Sequence, residues 1–142
     1  MKSSVHVLLV EDNAADILLT REALSDSKIS VRLSIAMDGE AAQNFLEKNE
    51  PDSSYPDLIL LDINLPKING YEVLQFIKKS EKYRHIPVII LTTSSSPKDI
   101  MTSYYNQANC YITKPVELDK FIETMHTFEK FWCSTVQLPP CP

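Results

Sequence analysis

Short runs of branched apolar residues recur along the chain at Val5–Val10, Val31–Ile35, Leu58–Ile63, Ile86–Leu91 and Cys110–Thr113, each followed by a stretch with helical spacing. Unbroken apolar runs of this length suit strands covered on both faces, as in a parallel sheet, and not strands with one wet face. The first helical stretch carries Ile17, Leu18, Ala23 and Leu24, the second Ala41, Ala42, Phe45 and Leu46, and the third Val73, Leu74, Phe76 and Ile77. The fourth is marked at its start by Ser96-Pro97-Lys98-Asp99, which reads as a cap residue, a proline at the first helical position and an acid closing a capping box. The fifth shows a stripe of Leu118, Phe121, Ile122, Met125, Phe128 and Trp132. Strand and helix alternate five times, which predicts an α/β fold with a parallel sheet and right-handed crossovers.

A chain of 142 residues fits one domain and can build its own core without staples. We place the domain at residues 1–132. Residues 133–142, with Pro139, Pro140 and Pro142 and no periodicity, form a C-terminal tail. Asn49 to Pro56 reads as a polar connecting loop. The net charge is −5, with acids and bases mixed, so no basic stripe marks a nucleic-acid surface. No apolar run approaches the roughly 20 residues that cross a bilayer, and the start lacks the apolar region of a signal peptide. Cys110, Cys133 and Cys141 form no C-x-x-C pair and read as reduced thiols, which points to the cytoplasm.

In an open parallel sheet, ligands bind beyond the carboxyl ends of the strands. Reading those ends in order gives Glu11-Asp12, Asp62, Thr92-Thr93 and Lys114. An acid at one strand end is weak evidence, because acids also complement helix N-termini and open turns. The set together is specific. Carboxylates converging on one sheet edge repel unless a cation joins them, and Mg2+ takes oxygen ligands while pairing with phosphate oxygens. A carboxylate can act as nucleophile and form an aspartyl phosphate, the role predicted for Asp62. The predicted metal ligands are Asp12, Asp62 and the backbone carbonyl of Asn64, with Glu11 holding metal-bound water. Lys114 supplies a point charge to the phosphoryl group and Thr92 a hydroxyl donor.

These residues lie in segments that resemble bacterial response-regulator receiver domains. The matching pieces are Leu8-Leu9-Val10-Glu11-Asp12-Asn13, Asp57 to Asp62 with Pro66 and Asn69-Gly70-Tyr71-Glu72, Pro87 to Thr92, and Tyr111-Ile112-Thr113-Lys114-Pro115. The resemblance covers Val5 to Trp132. It implies a CheY-like, flavodoxin-like sheet in the order 2-1-3-4-5 with helices on both faces, a sensor histidine kinase as donor, and Tyr111 as a switch aromatic coupled to Thr92. It also implies that the chain is not an enzyme beyond its own phosphoryl uptake and loss. The ending from Glu129 to Leu138, with Asn109-Cys110-Tyr111, resembles the single-domain regulators that serve phytochromes. That narrower likeness implies a phytochrome as kinase and a homodimer through the fourth helix, fifth strand and fifth helix. Asn109 stands where many relatives have glycine, and asparagine tolerates the left-handed conformation expected there. In receivers the first helix packs beside the donor histidine, so Ala15, Asp16, Leu19 and Glu22 are expected to set partner choice.

Other readings are weaker. A haloacid-dehalogenase-type phosphatase wants a second acid two residues past its nucleophile, where this chain has Asn64, and its nucleophile ends the first strand. A flavin carrier needs a Ser/Thr/Gly loop after the first strand to cradle phosphate, where Glu11-Asp12 would repel it. An interaction module that is never phosphorylated would not need the intact acid set. His6, His85 and His126 have no partnered nucleophile in the sequence.

Overall fold

The computed structural model describes residues 4–25, 29–48 and 55–140. Five strands form one sheet in the order β2-β1-β3-β4-β5: β1 (Ser4–Val10), β2 (Ser30–Ala36), β3 (Leu58–Leu61), β4 (Val88–Thr92) and β5 (Cys110–Thr113). Every neighbouring pair is parallel. The helices are α1 (Ala14–Ser25), α2 (Gly39–Lys48), α3 (Gly70–Lys79), α4 (Pro97–Tyr105) and α5 (Leu118–Phe128). This is the doubly wound order expected from the receiver resemblance.

The period-two alternation of strands explains the two cores. Leu8, Val10, Ile59, Leu61, Val88 and Ile90 point to one face and pack with Ala42 and Leu46 of α2 and Val73, Leu74 and Ile77 of α3. Val7, Leu9, Leu58, Leu60, Ile89 and Leu91 point to the other and pack with Ala23 and Leu24 of α1 and Phe121, Met125 and Phe128 of α5. Both faces of the three central strands are thereby dry, which is why their sequences read as unbroken apolar runs.

Several boundaries differ from the sequence reading. β4 begins at Val88 because Tyr83 to Ile86 form a turn, with the Ile86 N–H donating to the Tyr83 carbonyl at 2.9 Å. β3 ends at Leu61, which leaves Asp62 and Ile63 outside the strand. Asn109 does not adopt the left-handed conformation; among the described residues the positive-φ ones are Lys67 at 63° and Gln107 at 71°. Asn109 instead exchanges bonds with the first residue of β4. Its Oδ1 accepts from the Val88 N–H at 2.9 Å, and its own N–H donates to the Val88 carbonyl at 2.9 Å. At α4 only half of the capping box forms: Ser96 Oγ accepts from the Asp99 N–H at 3.1 Å. The Asp99 carboxylate is drawn away by the Tyr71 hydroxyl at 2.6 Å and the Ser94 hydroxyl at 2.5 Å.

The last helix also departs from expectation. After Phe128 it widens into a π-helical turn, Glu129–Thr135, closed by the Val136 N–H donating to the Phe131 carbonyl at 3.0 Å. Cys133, expected in the tail, is buried in the α1/α5 core, and Leu138 packs against the same cluster. Phe128, from the apolar stripe of the fifth helix, is buried there as well. Of the loop read at 49–56 only Tyr55 and Pro56 fall within the described residues, and Cys141 lies outside them.

Candidate functional site

The ladder carries each site residue one step past its strand. The Glu11 N–H donates to the Ala36 carbonyl at 3.0 Å, the Asp62 N–H to Val10 at 3.0 Å, and the Lys114 N–H to Thr92 at 2.7 Å. Backbone bonds to the neighbouring strand thus fix three side chains from distant sequence at one edge. Glycine fixes the rest. The chain's two glycines both grip the segment after Asp62. A Cβ on Gly70 would sit 2.3 Å from Ile63 Cα and 2.4 Å from the Asp62 carbonyl oxygen, and one on Gly39 would sit 2.0 Å from the Ile68 carbonyl oxygen. Only a residue without a side chain allows these approaches.

Carboxylate oxygens of Glu11, Asp12 and Asp62 lie within 4.8 Å of one another, an acidic cluster able to hold a metal ion. Glu11 and Asp62 are buried and Asp12 is exposed at the mouth. Lys114 Nζ donates to Glu11 Oε1, to Asp16 Oδ2 at 2.9 Å and to Asp62 Oδ2 at 3.2 Å. Burial pushes Glu11 up to about 7, with Asp62 adding to the rise and Lys114 opposing it. Burial opposes the charge on Lys114, but the bonds to Glu11 and Asp16 and the nearby Asp62 charge outweigh it and hold the ammonium above its ordinary value. Four carboxylates around one ammonium leave a surplus of negative charge. An all-oxygen donor set with that surplus fits a hard divalent cation.

Asp62 Oδ1 accepts from the Asn64 N–H at 3.0 Å. Asn64 Nδ2 reaches Thr92 Oγ1 at 3.5 Å, and Thr92 is fully buried at the end of β4. Tyr111 on β5 is half-buried, and its hydroxyl donates to the Ser94 carbonyl at 2.9 Å in the β4–α4 loop. The structure therefore brings Glu11, Asp12, Asp62, Asn64, Thr92 and Lys114 together, with Tyr111 one loop away. Asp16 is the residue whose place the sequence reading missed. We read it as part of the docking face of α1, but its carboxylate turns to Lys114. The signal lay in the first turn. Asn13 Oδ1 caps the Asp16 N–H at 2.9 Å, and an acid at that position ordinarily returns to the cap residue's N–H. Here Glu11 Oε2 takes that N–H at 3.2 Å and leaves Asp16 free to turn across the site.

A parallel sheet in this order with acids, hydroxyl and lysine at these strand ends is the arrangement of a receiver-type domain. Residues 7–126 match the family model of the response regulator receiver domain, and the chain belongs to that family. It is 44% identical over 135 residues to the response regulator Rcp1 of Synechocystis sp., spanning 94% of this chain and 92% of that one. Its fold matches the phosphorylated cyanobacterial phytochrome response regulator RcpA with a TM-score of 0.91 at 43% identity, covering 96% of this chain and 99% of that one. The Mn2+-bound form of Rcp1 matches with a TM-score of 0.90, again at 43% identity and with 96% and 99% coverage. No helix among the described residues is long and apolar enough to cross a membrane.

Proposed function

We propose that this response regulator is the phosphoacceptor of a two-component relay, taking a phosphoryl group on Asp62 from a sensor histidine kinase in the cytoplasm. The observation that carries this reading is that Asp62 lies within 4.8 Å of both Glu11 and Asp12 and accepts from the Lys114 ammonium at 3.2 Å. A carboxylate oxygen of Asp62 attacks phosphorus, and the phosphorus–nitrogen bond of the donor phosphohistidine breaks with its electron pair returning to the imidazole. Asp12, Asp62 and the main-chain carbonyl of Asn64 would hold Mg2+, with Glu11 holding a water of that ion, and the metal would supply neutralisation of charge on the transferring oxygens. Lys114 pairs with a phosphoryl oxygen and the Asn64 N–H steadies the attacking carboxylate. Thr92 donates its hydroxyl to the phosphoryl group, and Tyr111 follows through the loop it already holds at Ser94. Incubation with acetyl phosphate and Mg2+ should add one base-labile phosphoryl group. Equal labelling of Asp62→Asn would overturn the assignment.

The likeness to phytochrome response regulators supports a phytochrome as the kinase, docking over Ala15, Leu19 and Glu22 of α1. The likeness and one structural observation also favour a homodimer over α4, β5 and α5. Tyr104, Tyr105 and Phe131 are exposed, Tyr105 to 79%, and large apolar side chains left exposed on these elements suit an interface. Phosphorylation should bias that equilibrium. Sedimentation of the parent and of a Tyr105→Ser/Phe131→Ser variant at micromolar concentration tests this. A dimer lost in the variant supports it, and a monomeric parent with and without a phosphoryl mimic refutes it.

A further inference from the structure

The three hydrogens of the Lys114 ammonium are all committed, one each to Glu11, Asp16 and Asp62. An ammonium has three donors and no more. A phosphoryl group arriving on Asp62 brings a charge of about −1.5 to −2 and oxygens that need this same cation. The Asp62 contact passes to the phosphoryl group as that carboxylate is esterified and loses its charge, and any second donor to the phosphoryl oxygens has to come from Glu11 or Asp16. The three partners differ in what release would cost them. The Glu11 side chain is 2% exposed and that of Asp62 9%, whereas that of Asp16 is 23% exposed at the rim of the site. A carboxylate at the rim can exchange an ammonium for water, and a buried one cannot do so without a large desolvation cost. Asp16 is therefore the partner that yields.

We propose that Asp16 is a positioning residue that restrains Lys114 in a cage of three carboxylates, so that phosphoryl capture on Asp62 proceeds by displacing the Asp16–Lys114 pair. This rests on the reading of Asp62 as acceptor. Two features of the chain make the restraint specific. Asp16 belongs to α1, so the pair ties the first helix to the segment after β5, across 98 residues of sequence. Its backbone is fixed independently by the Asn13 cap, so the carboxylate is aimed by the helix start and not by chance of rotamer. The pair opposes capture, because it must be broken for Lys114 to turn fully to the phosphoryl oxygens. Removing the charge while keeping the shape should accordingly favour the phosphorylated state.

Asp16→Asn keeps the side-chain size and an acceptor oxygen but lacks the charge. Beryllofluoride with Mg2+, a stable phosphoryl mimic, should bind this variant about tenfold more tightly by calorimetry, equivalent to about 1.4 kcal/mol. Labelling of Asp62 by acetyl phosphate should rise by a similar factor. Asp16→Glu, which restores the charge, should return both quantities toward the parent. Asp16→Ser gives a second neutral variant if the Asn form folds poorly. A merely structural role would lower the melting temperature without tightening beryllofluoride binding. The restraint is overturned if the neutral variants bind and label no better than the parent, or if Asp16→Glu matches them. A parent that takes no label on Asp62 overturns the acceptor reading and this inference with it. A labelled parent with indifferent variants overturns the restraint alone.

Discussion

Gly70→Ala sets two effects of opposite sign against each other. Alanine is favoured over glycine in a helix by about 1 kcal/mol, and Gly70 opens α3, so propensity alone predicts a more stable protein. Against this, the new Cβ would meet Ile63 Cα at 2.3 Å and the Asp62 carbonyl oxygen at 2.4 Å, both main-chain atoms that no rotamer can move. Ordinary carbon contacts sit at roughly 3.5–4.0 Å, so the helix start has to retreat by more than about 1 Å. Forcing an extra group into a packed site costs about 1–3 kcal/mol. The same retreat stretches the Gly70 N–H bond to the Ile63 carbonyl, now 3.0 Å, which is worth about 0.5–1.5 kcal/mol. Net destabilisation should be about 1–3 kcal/mol after the propensity gain is subtracted. For a domain of this size that is a fall of roughly 3–10 °C in melting temperature. Urea and thermal melts measure the stability, and acetyl phosphate labelling reports whether the segment after Asp62 has moved. An equal or higher melting temperature with unchanged labelling would refute the argument that this contact makes glycine obligatory.

Other expectations concern stability away from the site and the docking face of α1. His6 is buried and its Nδ1 accepts from the Arg32 guanidinium at 3.0 Å, so its Nε2 carries the proton toward Ser34 Oγ at 2.7 Å. Burial, then the Arg32 charge, hold His6 below its ordinary value, with the Asp57 charge opposing. The unfolded chain then binds the proton first as pH falls below about 6.5, so stability is retained above that pH and lost beneath it, by at most about 1.4 kcal/mol per pH unit. His6→Gln should show a smaller loss between pH 7.5 and 5.5 in urea melts, and an identical loss would dismiss His6 as the cause. Asn109→Gly should cost about 1–3 kcal/mol, because the buried Val88 N–H loses its acceptor. An unchanged urea midpoint would show that water replaces it. Exchanging Ala15, Leu19 and Glu22 for the residues of another receiver should change which kinase transfers phosphate, and an unaltered transfer profile would remove α1 as the docking face.

The sheet was legible because both of its faces are dry. Leu58 to Leu61 are all buried, and such a run has few other homes. Its ends were less so. Ile86 is apolar because it packs in the core from a turn, which hydropathy cannot distinguish from a strand. The residues of the site were legible because strand ends are where this fold gathers chemistry. The partners of those residues were not. Asp16 and Asp99 each occupy a position where a helix start ordinarily keeps its acid. Each is drawn off by a group more than 20 residues away, Lys114 in one case and Tyr71 in the other. At Asn109 backbone tolerance is beside the point, because its amide oxygen is what caps the Val88 N–H. Local rules describe local competition, and these side chains answer to distant donors.

The π-helical turn at Glu129–Thr135 has a consequence for which side chains the surface receives. On an α-helix the buried row Phe121, Met125 and Phe128 would continue to Trp132, four residues on. A π turn takes roughly one more residue per revolution, with bonds spanning five residues in place of four. The inward place passes to Cys133, which is buried, and Trp132 is left half-covered with its ring edge-on to Phe131 at 5.5 Å. Around this pair opens a cleft of about 330 Å³ floored by Cys110 and Ile112 of β5 and walled by Phe128. The aromatic lip beside the edge strand is thus a product of spacing and not of composition: α spacing through that turn would give the inward place to the tryptophan and not to Cys133.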